Sequence, residues 1–192
     1  MPSAALQQWT TVRAISLDQI EQAHLSVGGS GRGRRYATQQ INQAYVMLLS
    51  SQFQAFCRDL HTECVETLVN AITPTVIQSA LRTEFLLDRK LDRGNPNPGN
   101  IGADFSRLGV RFWPRVLSID SRNTARRNQL DSLNTWRNAI AHQDFDPARL
   151  NGRTTVQLRE VRVWRSMCNN LSDGFDQVMY DYLLSVTGTL PW

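Results

Sequence analysis

The run TQQINQAYVMLLSSQFQAFCRDLHTECVETLVNAI, residues 38–72, decides most of what this chain can fold into. Within it Ile41, Tyr45, Leu48, Leu49, Gln52, Phe56, Leu60, Cys64, Leu68 and Ile72 recur at steps of three and four. A helix gathers such positions on one face, whereas a strand needs alternation at every second residue. A single amphipathic helix of this length needs comparably long partners to cover its apolar side. The ends of the chain supply them. Leu6, Trp9, Val12, Leu17, Ile20 and Ala23 make a loose helical stripe over residues 4–24. From about Thr155 a last helix carries Val156, Leu158, Val161, Trp164, Met167, Leu171, Phe175, Val178, Met179, Tyr182 and Leu183, and stops at Gly188. Only the short VRVW, residues 161–164, alternates with period two. The expected fold is all-α, a bundle of long antiparallel helices.

Shorter pieces fill the middle. Thr73 and Pro74 offer an N-cap and an N1 proline, which predicts a second helix to about Arg89. RGNPNPGN, residues 93–100, reads as a plain loop without regular structure. Ala103 to Leu117 supports a helix interrupted at Pro114, and Asp120 or Ser121 is the expected cap of another that ends near His142. Residues 143–153 form a turn. Near the N-terminus VGGSGRGRR, residues 27–35, breaks all pattern with four glycines and three arginines, a basic loop suited to a phosphate backbone or simply to water.

Composition narrows the class. The 192 residues suit one domain with a real core, and 41% hydrophobic with 20% charged residues is ordinary for a soluble protein. No apolar run approaches a membrane span, and the N-terminus lacks the basic start and apolar middle of a signal peptide. Three cysteines, an odd number, fit reduced thiols in a cytoplasm. The net charge is +4 and Lys90 is the lone lysine against 20 arginines. Arginine's planar fork holds phosphate at two points, which suits a nucleic-acid partner, although codon usage in a GC-rich genome gives the same bias.

Few residues carry chemistry. Cys57, His61 and Cys64 fall at i, i+4 and i+7 on one helix face. A structural zinc site takes four ligands, usually from turns or two elements, and no neighbouring Cys or His completes this set. Packing is the expected role, and no metal or cofactor is expected. No glycine-rich phosphate loop follows a strand, no serine sits in a nucleophile elbow, and the acids are too scattered for a two-metal nuclease. What is left is TWRNAIAHQDFDP, residues 135–147. Asn138 and His142, at i and i+4, share a helix face, and the histidine lies in a last turn where the macrodipole favours its charged form. The competing structural reading has His142 bonding terminal carbonyls and Arg137 pairing with Asp131 or Asp144.

RNAIAHQ, residues 137–143, closely resembles the R-x4-6-H motif of the HEPN superfamily, in which a polar residue directly follows the arginine. AYVMLLSSQFQAFCRDLHTECV, residues 44–65, resembles the first core helix of bacterial HEPN proteins of the RiboL-PSP-HEPN and related types, and TGTLPW is similar to their ending. The likeness spans residues 36–187. It implies a single HEPN-like domain over 1–192: an N-terminal helix and Gly/Arg-rich loop (1–35), a helical core (36–187) with long antiparallel helices and a short helix or loop insertion, and a tail (188–192).

Many HEPN proteins are metal-independent ribonucleases, and the resemblance implies that activity here. Cutting RNA through its 2′-OH needs a base, an acid and positive charge for the crowded phosphorane. His142 is the expected base or acid, Arg137 the phosphate holder, and Asn138 the group that orients the histidine or the scissile phosphate. Arg34, Arg35 and Arg58 are secondary candidates for holding RNA. One motif per chain supplies one histidine, so an active enzyme is expected to be a homodimer with a composite site. The implied role is a toxin or defence effector, with an antitoxin or regulatory protein as partner. The alternative is a catalytically inactive adaptor that binds RNA or protein, since several HEPN domains have lost activity.

Overall fold

The computed structural model describes residues 1–28, 35–72 and 75–192. Among them the order is α1 (Ala4–Gln8), a π-helical turn (Trp9–Arg13), α2 (Ala14–Gly28), α3 (Arg35–Asn70), a 3-10 turn (Thr75–Ile77), α4 (Gln78–Leu86), α5 (Lys90–Arg93), α6 (Pro98–Ser106), α7 (Phe112–Ile119), α8 (Asn123–His142) and α9 (Leu158–Thr187). No strand occurs among the described residues, and VRVW lies inside α9. None of the described helices is long and apolar enough to cross a membrane.

The long helix α3 is the axis on which the others pack. Its apolar stripe buries Tyr45, Leu49, Phe53, Phe56, Leu60 and Cys64 completely. The N-terminal helices run back along it: Arg13 reaches Gln52, Tyr45 donates to Glu21, and Glu63 accepts from the first N–H groups of α1. In contrast α9 runs parallel to it, with Asn42 bonded to the Val156 carbonyl at one end and Phe53 against Phe175 further along. Helices α8 and α9 form an antiparallel hairpin, tied where Arg126 near the start of α8 bonds Asn170. The C-terminus of α8 therefore lies at the end of the bundle where α9 begins. Beside them the short helices α6 and α7 pack an aromatic wedge against α9, Phe105 stacked on Phe112 at 4.4 Å and Phe112 edge-on to Phe175 at 4.9 Å.

Several boundaries differ from the sequence expectation for identifiable reasons. The π turn shifts the N-terminal stripe by one residue, so Val12 is exposed while Leu17 returns to the core. The proposed Thr73–Pro74 cap lies outside the described residues, and the helix beyond ends at Leu86, not Arg89, because Asp88 turns left-handed (φ 55°). The 103–117 helix divides at Gly109 (φ 84°) and not at Pro114, which sits harmlessly in the first turn of α7. Before α8, Asp120 accepts from the Arg122 N–H in a turn, and the N-cap Arg122 makes no side-chain bond to the helix. RGNPNPGN is only half a loop: Asn97 caps α6 by accepting from the Asn100 N–H, with Pro98 at the first helical position.

Candidate active site

The α8 terminus is closed by Gln143, which adopts the left-handed conformation at φ 54°. Its N–H bonds the Ile140 carbonyl, and the Asp144 N–H bonds that of Ala139 at 2.9 Å, a Schellman closure made without glycine. The Gln143 side chain adds a second donor to Ile140. Those carbonyls are therefore served without the histidine. His142 is exposed and, among the described residues, makes no side-chain hydrogen bond.

Arg137 is without a charged partner among the described residues. Asp144, one of its expected partners, pairs with Arg149 at 3.1 Å, and among the described residues no carboxylate pairs with Arg137. Its bond is to a neutral oxygen, Nη1 donating to Asn138 Oδ1 at 3.2 Å. Five helical residues separate Arg137 from His142 by about 140° of rotation. The bond to Asn138 draws the guanidinium round toward the face that Asn138 and His142 share. After His142 the connection is held down by Leu150 and Val156, both buried, and by Phe145 against the core.

The other two histidines sit in different surroundings. His61 is buried, with Nε2 3.1 Å from the Asp104 carbonyl; burial, with Arg89 adding to it, pushes its pKa down to about 4. His24 is half-buried and is lowered by desolvation and by Arg162. Cys57 and Cys64 flank His61 in the core, where burial raises both thiols well above their usual range. Packing accounts for all three members of that constellation.

Of the weaker candidates, Arg34 and the Arg35 side chain lie outside the described residues. Arg58 faces α5, 3.8 Å from Asp92, a carboxylate that Arg89 already holds at 2.9 Å. The structure does not bring Arg58 into contact with Arg137, Asn138 or His142.

What the sequence reading missed is the strap that runs under the site. Residues 94–98 are clamped at alternate carbonyls: Gly94 by Gln54 of α3, Pro96 by Asn134 of α8, and Pro98 by Trp113 of α7 at 2.7 Å. Asn134 is buried and lies one turn before Asn138, so one face of α8 grips the strap twice. Asn95 between the clamps donates to Asn138 Oδ1 at 3.0 Å. The approach is close at the start: a Cβ on Gly94 would meet Asn100 Nδ2 at 2.6 Å and push aside the amide that bonds the Asn95 carbonyl. The N-P-N-P spacing and the Asn97–Pro98 cap were the readable signals.

A model of the family described as RiboL-PSP-HEPN matches residues 13–181. The chain belongs to the RiboL-PSP-HEPN family. Its match to the RiboL-PSP-HEPN model takes in α3, the strap and the whole RNAIAHQ segment, and it starts in the π turn, ahead of residue 36 where the likeness was first legible. No curated protein and no solved structure matches this RiboL-PSP-HEPN chain.

Proposed function

We propose that this protein is an endoribonuclease that needs no metal, built as a homodimer whose two RNAIAHQ segments face one cleft. The observation that carries the reading is the uncommitted state of Arg137 and His142 at one exposed helix end of a RiboL-PSP-HEPN chain. Residues kept for structure are normally paired; a guanidinium without a carboxylate and an imidazole without a bond are available to a ligand.

The chemistry follows from those groups. One His142 takes the proton of the ribose 2′-OH as its oxygen attacks the adjacent phosphorus. The P–O5′ bond breaks, and the His142 of the second protomer gives a proton to the departing 5′-oxygen. The products are a 2′,3′-cyclic phosphate and a 5′-OH, with no change of oxidation state. Arg137 neutralises the charge that gathers on the non-bridging oxygens, where a positioned donor is worth most. Outer contacts to RNA from Arg34, Arg35 and Arg58 belong to the same proposal, as does a biological role as toxin or defence effector held by an inhibitory partner.

The test is cleavage of mixed cellular RNA in EDTA by wild type, His142→Ala and Arg137→Ala. Cutting by wild type alone, leaving 2′,3′-cyclic phosphate ends, is the expected result. Cutting that survives both substitutions would place the chemistry elsewhere. A folded wild-type dimer that binds RNA and never cuts it would make the protein an adaptor.

A further inference from the structure

The asparagines of the strap form a relay whose polarity is fixed from both ends. At one end the Asn100 backbone N–H, which can only donate, lies 2.8 Å from Asn97 Oδ1. That orients the Asn97 amide, and its Nδ2 faces Asn95 Oδ1 at 2.8 Å. Asn95 is oriented in turn, and its Nδ2 donates to Asn138 Oδ1 at 3.0 Å. At the other end the Arg137 guanidinium, also only a donor, bonds that same oxygen. An amide oxygen has two lone pairs, and here both are occupied. The Asn138 Nδ2 has no acceptor among the described residues and is not a buried atom.

We infer that Asn95 is a positioning residue, which with Asn97 holds the Asn138 amide as an outward donor, beside Arg137, to a non-bridging oxygen of the scissile phosphate. This rests on reading RNAIAHQ as the cleavage site. It also decides between two roles for Asn138. With its oxygen occupied it has no acceptor for a ring N–H of His142, and its donor could bond only the one lone-pair nitrogen that the neutral ring needs as base, so it binds the phosphate and does not orient the histidine. Left free to flip, the same amide would present its oxygen to an anion for part of the time, and a preorganised donor would be lost. Asn95→Asp reverses the relay at constant volume: a carboxylate at position 95 draws Asn138 Nδ2 inward and turns its oxygen toward the phosphate.

The test has a kinetic arm and an arm that requires no cleavage. Asn138→Ala should lower kcat about 10²-fold, and Asn95→Asp about 10- to 10²-fold, with KM little changed. Asn95→Ala should cost kcat alone but add nothing in the Asn138→Ala background. A loss that persists in that background would mean that Asn95 only supports the fold, and would overturn the inference. In the second arm the side-chain amide resonances of Asn138 are followed while a 2′-deoxy dinucleotide, which cannot be cut, is titrated in. A shift in wild type that is absent in Asn95→Asp supports the relay even if the protein cuts no RNA, an outcome that would sink the nuclease reading alone. No shift, or the same shift in both proteins, overturns the inference whatever the nuclease does.

Discussion

Two polar clusters flank the segment that joins α5 to α6, and they dispose of their hydrogen-bonding groups in opposite ways. Around Asp104 everything turns inward. Its carboxylate, 1% exposed, accepts from the Lys90 and Leu91 N–H groups at 2.8 Å each and so caps α5, while its carbonyl meets His61. Around Asn138 the inward half is as well ordered, but the outward half ends in three groups without acceptors among the described residues: the Asn138 Nδ2, most of the Arg137 fork and the His142 ring. Residue type does not separate the clusters, since each has a histidine and an amide or acid fixed to backbone. What separates them is whether the last donor finds an acceptor inside. The Asp104 cluster fixes the start of α5, the helix that leads into the strap, and the Asn138 cluster uses a well-ordered support at the surface.

That contrast is broken most sharply by single substitutions with opposite readouts. His142→Ala is expected to abolish RNA cutting, by at least about 10²-fold, because general acid–base catalysis at one group contributes that much or more. The same change should leave stability within about 0.5 kcal/mol, as expected for an exposed side chain without bonds. Asp104→Ala should do the reverse. It strands two backbone N–H groups at the start of α5, that of Leu91 buried and that of Lys90 partly so, a cost of about 2–5 kcal/mol measured by urea unfolding. Activity, assayed well below the unfolding midpoint, should fall only to the extent that the strap loosens. If His142→Ala unfolded the protein, or Asp104→Ala left its stability unchanged, the division between the clusters would be wrong.

How much of this was legible beforehand differs between the clusters for a physical reason. The long helices were readable because periodicity is a local property repeated over many residues, and α3 and α9 are placed by it almost to their ends. RNAIAHQ was readable because Arg137, Asn138 and His142 belong to one helix. The strap was not, because its meaning lies in contacts across the chain: Gln54 to Gly94, Asn134 to Pro96, and Asn95 to Asn138. A loop dense in proline and asparagine looks unstructured until the acceptors above and below it are known. The inward turn of His61 was half legible, since its position on the apolar face of α3 announced burial but not Asp104.

The buried histidine sharpens the comparison by pH. His61 stays neutral in the folded protein until about pH 4, whereas in the unfolded chain it takes a proton near the ordinary histidine value of 6.5. Its folded pKa is thus depressed, so unfolding binds a proton between those values and stability falls as pH drops from about 6.5 to 4. The full shift amounts to about 3 kcal/mol at most, levelling off below pH 4. Urea midpoints taken across this range should slope downward in wild type, and the slope should be reduced in His61→Gln, which keeps a donor for the Asp104 carbonyl. Equal slopes in wild type and His61→Gln would remove the buried histidine from the account.

The smallest expected effect tests how the open cluster is closed off from behind. Gln143 holds a left-handed backbone that glycine adopts without strain, at a cost of about 1 kcal/mol for a residue with a Cβ. Against this, Gln143→Gly loses the side-chain bond to Ile140 and gains disorder in the unfolded chain, each of the order of 0.5 kcal/mol. The terms nearly cancel, so the melting temperature should move by no more than about 2 °C. Cutting should nevertheless be kept, because the Schellman bonds from positions 143 and 144 are backbone bonds that glycine makes equally well. If Gln143→Gly lost activity while keeping its stability, the Gln143 side chain would belong to the site itself. Its amide would then join Asn138, Arg137 and His142 at the helix end and not merely serve the Ile140 carbonyl.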